Sequence, residues 1–190
     1  MVSNHCSYLD IPVLLSFCPG RFIAKREVKE WPIIGWLTRW YGTLYINRER
    51  IRSLFALNNV IEELYQSNQS ERIWLFPEGT TSNGEEVLPY LPSLLHIVEK
   101  NYPDIPVHNA VVQYTTPDYE PPASESVCWW RDDDSFGSHA WQMLKLSEIS
   151  ATVYLYGKPF LDEDRKELVT DLEQAAWKQI NKKSRTEVLL

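Results

Sequence analysis

The chain has 190 residues, 44% hydrophobic and 24% charged, an ordinary globular mix that suits one domain with a sizeable core. A formal net charge of −7 argues against bulk nucleic-acid binding. Cys6, Cys18 and Cys128 are odd in number and form no CxxC, which disfavours a disulfide framework or a zinc site and makes a reducing compartment the default. No run of 18 apolar residues spans a membrane.

In chain order, Val2–Ser3 reads as the end of a strand. Ser7 is a candidate cap for a helix running to about Ser16, with Asp10 in its first turn. The stretch "RFIAK" is a short strand. In "WPIIGWLTRWYG", Trp31, Ile34, Leu37 and Trp40 recur at helical spacing, and Gly42 is the expected stop. "TLYIN" is a strand, and Arg48 to about Ser67 is an amphipathic helix. "RIWLF" is a buried strand, "PEGTTSNGEE" a loop, Pro89–Asn101 a helix and "IPVHNAVVQY" a strand. Thr115–Ser126 reads as a long loop. "VCWW" is expected to be a strand and "RDDDSFG" a turn, and Ser138 to cap the helix "HAWQMLKL". "ATVYLYG" is a strand with Thr152, Tyr154 and Tyr156 on one face. Asp162 is expected to cap a last helix ending near Lys183. Alternating strands and helices predict an α/β fold with a mixed, mostly parallel sheet flanked by helices. One domain is expected over residues 1–183, with 184–190 as a frayed tail.

Charge is unevenly spread. Residues 1–60 hold eight Lys/Arg and four acids, a net +4, so the remainder carries −11. Together with eight Trp and ten Tyr in the chain, the basic first third suits an anionic ligand or membrane surface. Chance and solvated helix faces fit it equally well.

The chemistry begins at "NHCSYLD". An imidazole is the side chain best matched to accepting a proton near neutral pH, and a carboxylate that holds the ring stabilises the imidazolium. His5 and Asp10 are five apart, which on one helix would set them roughly 140° apart. They meet only if His5 lies on the turn before the helix and Asp10 inside it. In "FPEGTTS", a buried strand delivers Glu78, Gly79, Thr80, Thr81 and Ser82 into a loop whose N–H groups and hydroxyls suit a phosphate or hydroxyl-rich ligand. Arg48 ends "GTLYINR" with a charged planar fork apt for phosphate.

These stretches, with "DIPVHNAVVQY" after them, resemble the four ordered blocks of the glycerolipid acyltransferases, the enzymes that acylate lysophosphatidic acid and lysophospholipids. The likeness covers nearly the whole chain. "GEEVLPY" and "CWWRDDDSFGSHAWQMLKL" resemble the bacterial branch that includes lyso-ornithine-lipid acyltransferases. The resemblance implies transfer of a fatty acyl group from acyl-CoA or acyl carrier protein to the free hydroxyl of a lysophospholipid in phospholipid biosynthesis, foremost 1-acyl-sn-glycerol-3-phosphate. It implies no cofactor, no metal and no covalent acyl-enzyme. His5 would be the base and Asp10 its orienting partner. Arg48 would clamp the acceptor phosphate, Glu78 and Gly79 would shape the acceptor pocket, and Thr80 and Ser82 would make polar contacts. Lys25 would add to the phosphate site.

Thr81 stands where many members carry Arg, and Leu91 and Pro92 stand near the place of a common basic residue. Both losses favour a different head group, such as lyso-ornithine lipid. Members of the family usually carry several dozen residues before the His block, often membrane-inserting. The chain is therefore expected to be shortened there, and to work peripherally at the cytoplasmic face of the membrane through Trp31, Trp36, Arg39 and Trp40. A catalytically weak lipid-binding relic is the competing reading, and thioester hydrolysis a third.

Other residues read as structural. His96 and His108 sit in apolar elements, and His139 is a cap neighbour or surface residue. Asp132–Asp134 form a solvated turn rather than a metal site. Cys6 is set aside as a nucleophile, and Ser82 lacks the GxSxG elbow of a serine hydrolase.

Overall fold

The computed structural model describes residues 1–31, 34–46, 72–95, 106–131, 135–160 and 164–186. In chain order its elements are β1 (Val2–Ser3), α1 (Asp10–Phe17), β2 (Arg21–Lys25), α2 (Ile34–Trp40), β3 (Leu44–Ile46), β4 (Ile73–Trp74), β5 (Asn109–Thr115), α3 (Ala123–Ser126), α4 (Phe136–Met143), β6 (Ser150–Leu155) and α5 (Arg165–Thr186). Short 3-10 turns occupy Arg26–Glu30 and Pro92–Leu95. The helix expected from Arg48 and the turn at Asp132–Asp134 lie outside the described residues, as does the cap at Asp162.

Two ladders, β3-β2-β4 and β1-β5-β6, are joined where Val2 bridges Leu75 in parallel. Ser3 donates its N–H to the Leu75 carbonyl at 3.1 Å, and Leu75 donates back to Met1 at 3.0 Å. The resulting order is β3-β2-β4-β1-β5-β6, parallel throughout except for β6, which runs antiparallel to β5. This is the mixed, mostly parallel α/β sheet that the sequence predicts. The unbroken burial of β5 from Asn109 to Tyr114 follows from its central place, with neighbours on both edges and both faces covered.

Successive strand residues point to opposite faces, and the core divides accordingly. Ile23, Leu75 and Val111 pack on one side with Leu168, Leu172 and Ile180 of α5. Phe22, Trp74, Phe76, Ala110, Val112 and Tyr114 pack on the other with Leu14 of α1 and Val127. Tyr154 and Tyr156 join the first cluster and Val153 the second, as the expected alternation of β6 requires. Leu168 and Leu172 are almost wholly buried, and burying a side chain of that size contributes about 1.5–3 kcal/mol.

Several expected boundaries differ. Leu9, not Ser7, precedes α1, and the Ser7 hydroxyl instead accepts the Leu9 N–H at 3.3 Å. Ser135 rather than Ser138 caps α4, accepting the Ser138 N–H at 3.2 Å. The helix expected from Pro89 is seen only as the 3-10 turn, its remainder lying outside the described residues. The long loop after Thr115 ends in α3. "VCWW" forms no strand, because Val127 and Cys128 donate to Ala123, closing α3, and Trp129 donates to the Cys6 carbonyl at 2.8 Å. Those bonds consume the groups that a ladder would need. Among the described residues no helix is long and apolar enough to cross a membrane.

Candidate active site

The parallel sheet sets the site. β1 ends at Ser3, and the next residues leave the sheet at its carboxyl edge, where open α/β sheets place ligands. Asn4 anchors that exit: its amide donates to the Val112 carbonyl at 3.0 Å and accepts the Val112 N–H at 2.8 Å, continuing the β1–β5 pairing by a side chain. The chain then turns through His5–Leu9 and enters α1 at Asp10. This is the break between a turn and a helix that lets the two residues meet.

His5 Nδ1 lies 2.7 Å from Asp10 Oδ2. The carboxylate can only accept, so Nδ1 carries the proton and Nε2 is left as the basic nitrogen. The ring stacks on Phe76 with centroids 3.9 Å apart and planes 9° from parallel, which fixes its orientation. Asp10 is fully buried. Its Oδ2 also accepts the N–H groups of Cys6 (2.8 Å) and Ser7 (3.0 Å), and its Oδ1 accepts the Tyr114 hydroxyl at 2.8 Å. A buried carboxylate with this many donors is a fixed charge that a neighbouring imidazolium can use.

The His5 ring opens onto a cleft of about 370 Å³. Phe22, Ile11 and Ile34 supply apolar wall, Tyr8, Trp31 and Trp129 aromatic wall, and Lys25, Thr38, Gly79, Thr80 and Thr81 polar atoms. Thr81 donates its hydroxyl to the Trp129 carbonyl, tying the "EGTTS" loop to the segment after α3. Gly79 has φ +75°, a left-handed conformation that glycine adopts without strain, and its N–H closes the turn onto Phe76. Lys25 and Glu27 both line the cleft, with Nζ 3.9 Å from Oε2 and both side chains about half exposed, so this pair adds little stability. Among the described residues, no group of three His, Cys, Asp or Glu could hold a metal ion.

The expected contact residues are therefore distributed unevenly. Gly79, Thr80 and Lys25 line the cleft with His5. Arg48 lies outside the described residues. Glu78 and Ser82 are buried and absent from the cleft wall. Glu78 instead accepts the His5 N–H at 2.8 Å and the Leu88 N–H at 3.0 Å. Burial pushes its carboxyl up to about 8, against the lowering effect of those two bonds. Ser82 donates its N–H to the His5 carbonyl at 2.8 Å. Both residues brace the backbone of His5 rather than face a substrate.

The residues missed by sequence reasoning are Asn4, Tyr114 and the Tyr8–His139 pair. His139 is buried, with Nδ1 3.1 Å from the Tyr8 hydroxyl, so of its two expected positions the surface one is corrected, while its N–H does bond the carbonyl of the capping Ser135. Burial lifts the Tyr8 phenol to about 12. A polar residue wedged between a strand and a motif histidine is the signal that marked Asn4. Tyr114 had a weaker one, a hydroxyl-bearing ring in register with Ala110 and Val112.

The family model described as Acyltransferase matches residues 1–111. A lyso-ornithine lipid O-acyltransferase of Rhodobacter capsulatus is 32% identical over 97% of this chain and 67% of its own length. A 1-acyl-sn-glycerol-3-phosphate acyltransferase of Neisseria gonorrhoeae is 37% identical over 50% of this chain and 36% of its own. Among solved structures, the 1-acyl-sn-glycerophosphate acyltransferase of Thermotoga maritima superposes with a TM-score of 0.57 at 21% identity, over 97% of this chain and 65% of that one. The chain thus spans about two thirds of the length of the first relative and of the solved structure.

Proposed function

The chain belongs to the acyltransferase family, and from that premise we propose that it moves a fatty acyl group from a thioester, acyl-CoA or acyl carrier protein, onto the free hydroxyl of a lysolipid. One observation carries this reading: the His5–Asp10 pair at 2.7 Å, with the ring opening onto an apolar-walled cleft. His5 Nε2 takes the hydroxyl proton as the oxygen attacks the thioester carbonyl. Asp10 stabilises the imidazolium so formed. The tetrahedral oxyanion collapses, the C–S bond breaks, and the leaving thiolate takes the proton from His5. The product is an ester and a free thiol, and the base is restored.

Two acceptors fit this chemistry. A 1-acyl-sn-glycerol-3-phosphate acceptor follows from the four-block resemblance and the Neisseria relative. A lyso-ornithine lipid is favoured by a relative alike across almost the whole chain and by Thr81 where many members carry Arg. The wall charges Lys25 and Glu27, one of each sign, also suit a head group bearing both an amine and a carboxylate. The same reading puts the chain at the cytoplasmic face of a membrane. Trp31, Trp36 and Trp40 are 42%, 64% and 71% exposed, and Trp36 stacks on Trp40 at 5.9 Å beside Arg39. Such rings favour a bilayer interface.

Labelled acyl transfer in mixed micelles tests the reading, with each donor offered against each acceptor. His5→Ala is expected to lose about 10²- to 10⁴-fold of the rate. Undiminished product in that variant would overturn the base assignment. Free fatty acid in place of an ester would make the chain a hydrolase, and thioester binding without turnover a relic.

A further inference from the structure

The second oxygen of Asp10 is the feature that the mechanism above does not use. Oδ2 is committed to His5, Cys6 and Ser7. Oδ1 accepts the Tyr114 hydroxyl at 2.8 Å, and the Cys6 thiol stands 3.7 Å away. Tyr114 comes from β5, 104 residues later in the chain. It is paired with Ala151 of β6 and packed among Phe76, Val112 and Val127. Its ring is therefore held by the sheet, and its hydroxyl is aimed rather than free to rotate toward other partners. Tyr114 is absent from the cleft wall, so it acts only through Asp10.

We infer that Tyr114 is a positioning residue that sets how strongly Asp10 holds the His5 proton. A carboxylate shares its negative charge among its donors. Every donor on Oδ1 withdraws charge from Oδ2 and weakens the pull on the imidazole N–H. A phenol is a strong enough donor to matter and stays protonated here: burial and the Asp10 charge hold it far above its ordinary value. It therefore never competes with Asp10 as a base. The consequence for catalysis is a compromise. An unshared Asp10 would make a stable imidazolium that returns its proton reluctantly to the departing thiolate. An Asp10 bonded by Tyr114 stabilises the imidazolium less and keeps His5 unprotonated, and ready to act, to lower pH.

The other titratable groups around the pair are few among the described residues. Cys6 and Cys128 face Asp10 and Tyr114 from behind. Glu78 bears on Asp10 from the "EGTTS" loop. Lys25 and Glu27 lie on the cleft wall with His5. Tyr8 lines that wall too. Only the Cys6 thiol shares Oδ1, at 3.7 Å, and none of these groups donates an O–H to Asp10, so removal of the phenol hydroxyl takes away the short bond on Oδ1.

The inference rests on the acyl-transfer reading for its catalytic meaning, and its test is chosen to be independent of turnover. Proteins carrying ¹³C-labelled histidine are titrated by NMR, with the His5 signal assigned by its loss in His5→Ala and with His108 and His139 as internal references. Tyr114→Phe is expected to raise the His5 midpoint by about half a pH unit, and to move the acidic limb of kcat/KM the same way with KM for the lysolipid unchanged. Replacement of Tyr114 by 3,5-difluorotyrosine, a stronger donor of nearly the same shape, is expected to move the midpoint down. It keeps the test open if the Phe variant fails to fold. A midpoint unmoved in either variant, with the reference histidines unchanged, overturns the inference and leaves Tyr114 as a core residue that satisfies a buried oxygen. A moved midpoint in a protein that makes no ester would uphold the inference and sink the acyl-transfer reading instead.

Discussion

On the side of the sheet that faces α5, Val111, Leu168 and Leu172 pack in an apolar cluster; on the opposite side, Ala110, Val112 and Tyr114 share their space with Asn4, Ser7 and Asp10. The first side buries no charge of this kind; its polar groups are neutral, such as Asn109, whose amide donates to the Leu172 carbonyl at 2.8 Å, and the Tyr90 phenol. The second buries a charge, and surrounds it with five donors, four from the turn His5–Ser7 and one from β5. The difference teaches that one strand serves two ends. β5 sends Val111 and the Asn109 amide toward α5 and the Tyr114 hydroxyl toward Asp10, and the pleat alone separates the two tasks.

Substitutions on the two sides should separate in the same way. Leu172→Ala, on the apolar side, is expected to cost about 2–5 kcal/mol of stability with turnover per folded molecule unchanged, read by denaturant melts and by activity below the transition. A large loss of turnover at equal folding would break the comparison. Gly84→Ala is expected to blur it. Gly84 has φ +78°, and a Cβ there would sit 2.8 Å from Cys128 Sγ and 3.6 Å from Cys6 Cβ, directly behind His5. Its expected cost is about 1–3 kcal/mol, together with a fall in kcat as the displaced Cys128 thiol presses on its partner Cys6. A variant with normal kcat and lowered stability would show that the loop behind His5 tolerates movement.

Glu78→Gln gives the most diagnostic effect, because it is read as a slope against pH. Burial raises the Glu78 carboxyl to about 8 in the folded chain, so between about pH 4.5 and 8 the folded state holds a proton that the unfolded state has released. Stability from this group is therefore greatest at low pH and is lost as pH rises through that window. The advantage of the natural chain over the Gln variant should shrink by up to about 1.4 kcal/mol per pH unit. A difference independent of pH would mean that Glu78 is ionised throughout.

Much of the sheet was legible, because a strand buried on both faces advertises itself as an apolar run, as "RIWLF" does around β4. The His5–Asp10 contact was also legible, since its two residues lie within one turn and one helix start. What was not legible came from distance. Tyr114 reaches Asp10 across 104 positions, and Asn4 reaches Val112 across 108; no local period records either. "VCWW" was misread for a different reason. A short apolar run reports burial, not conformation, and Val127 and Cys128 are buried while their N–H groups close a helix. Glu78 was expected to shape the acceptor pocket because the family resemblance implies it, and no local pattern contradicts that. Only the fold reveals that this one faces inward to two backbone N–H groups.

The place of β1 in the sheet has a temporal meaning. Val2 pairs with Leu75 on one side and Asn109 on the other, partners that are made 73 and 107 residues after it. At about 5–20 residues per second on the ribosome, the first of these strands waits several seconds for its flanks. The Asp10 carboxylate likewise waits 104 residues for Tyr114. A nascent chain therefore carries His5 and Asp10 in an unfinished cradle, and the bond to Asp10 Oδ1 is assembled by the arrival of β5 rather than by the motif that encodes the pair.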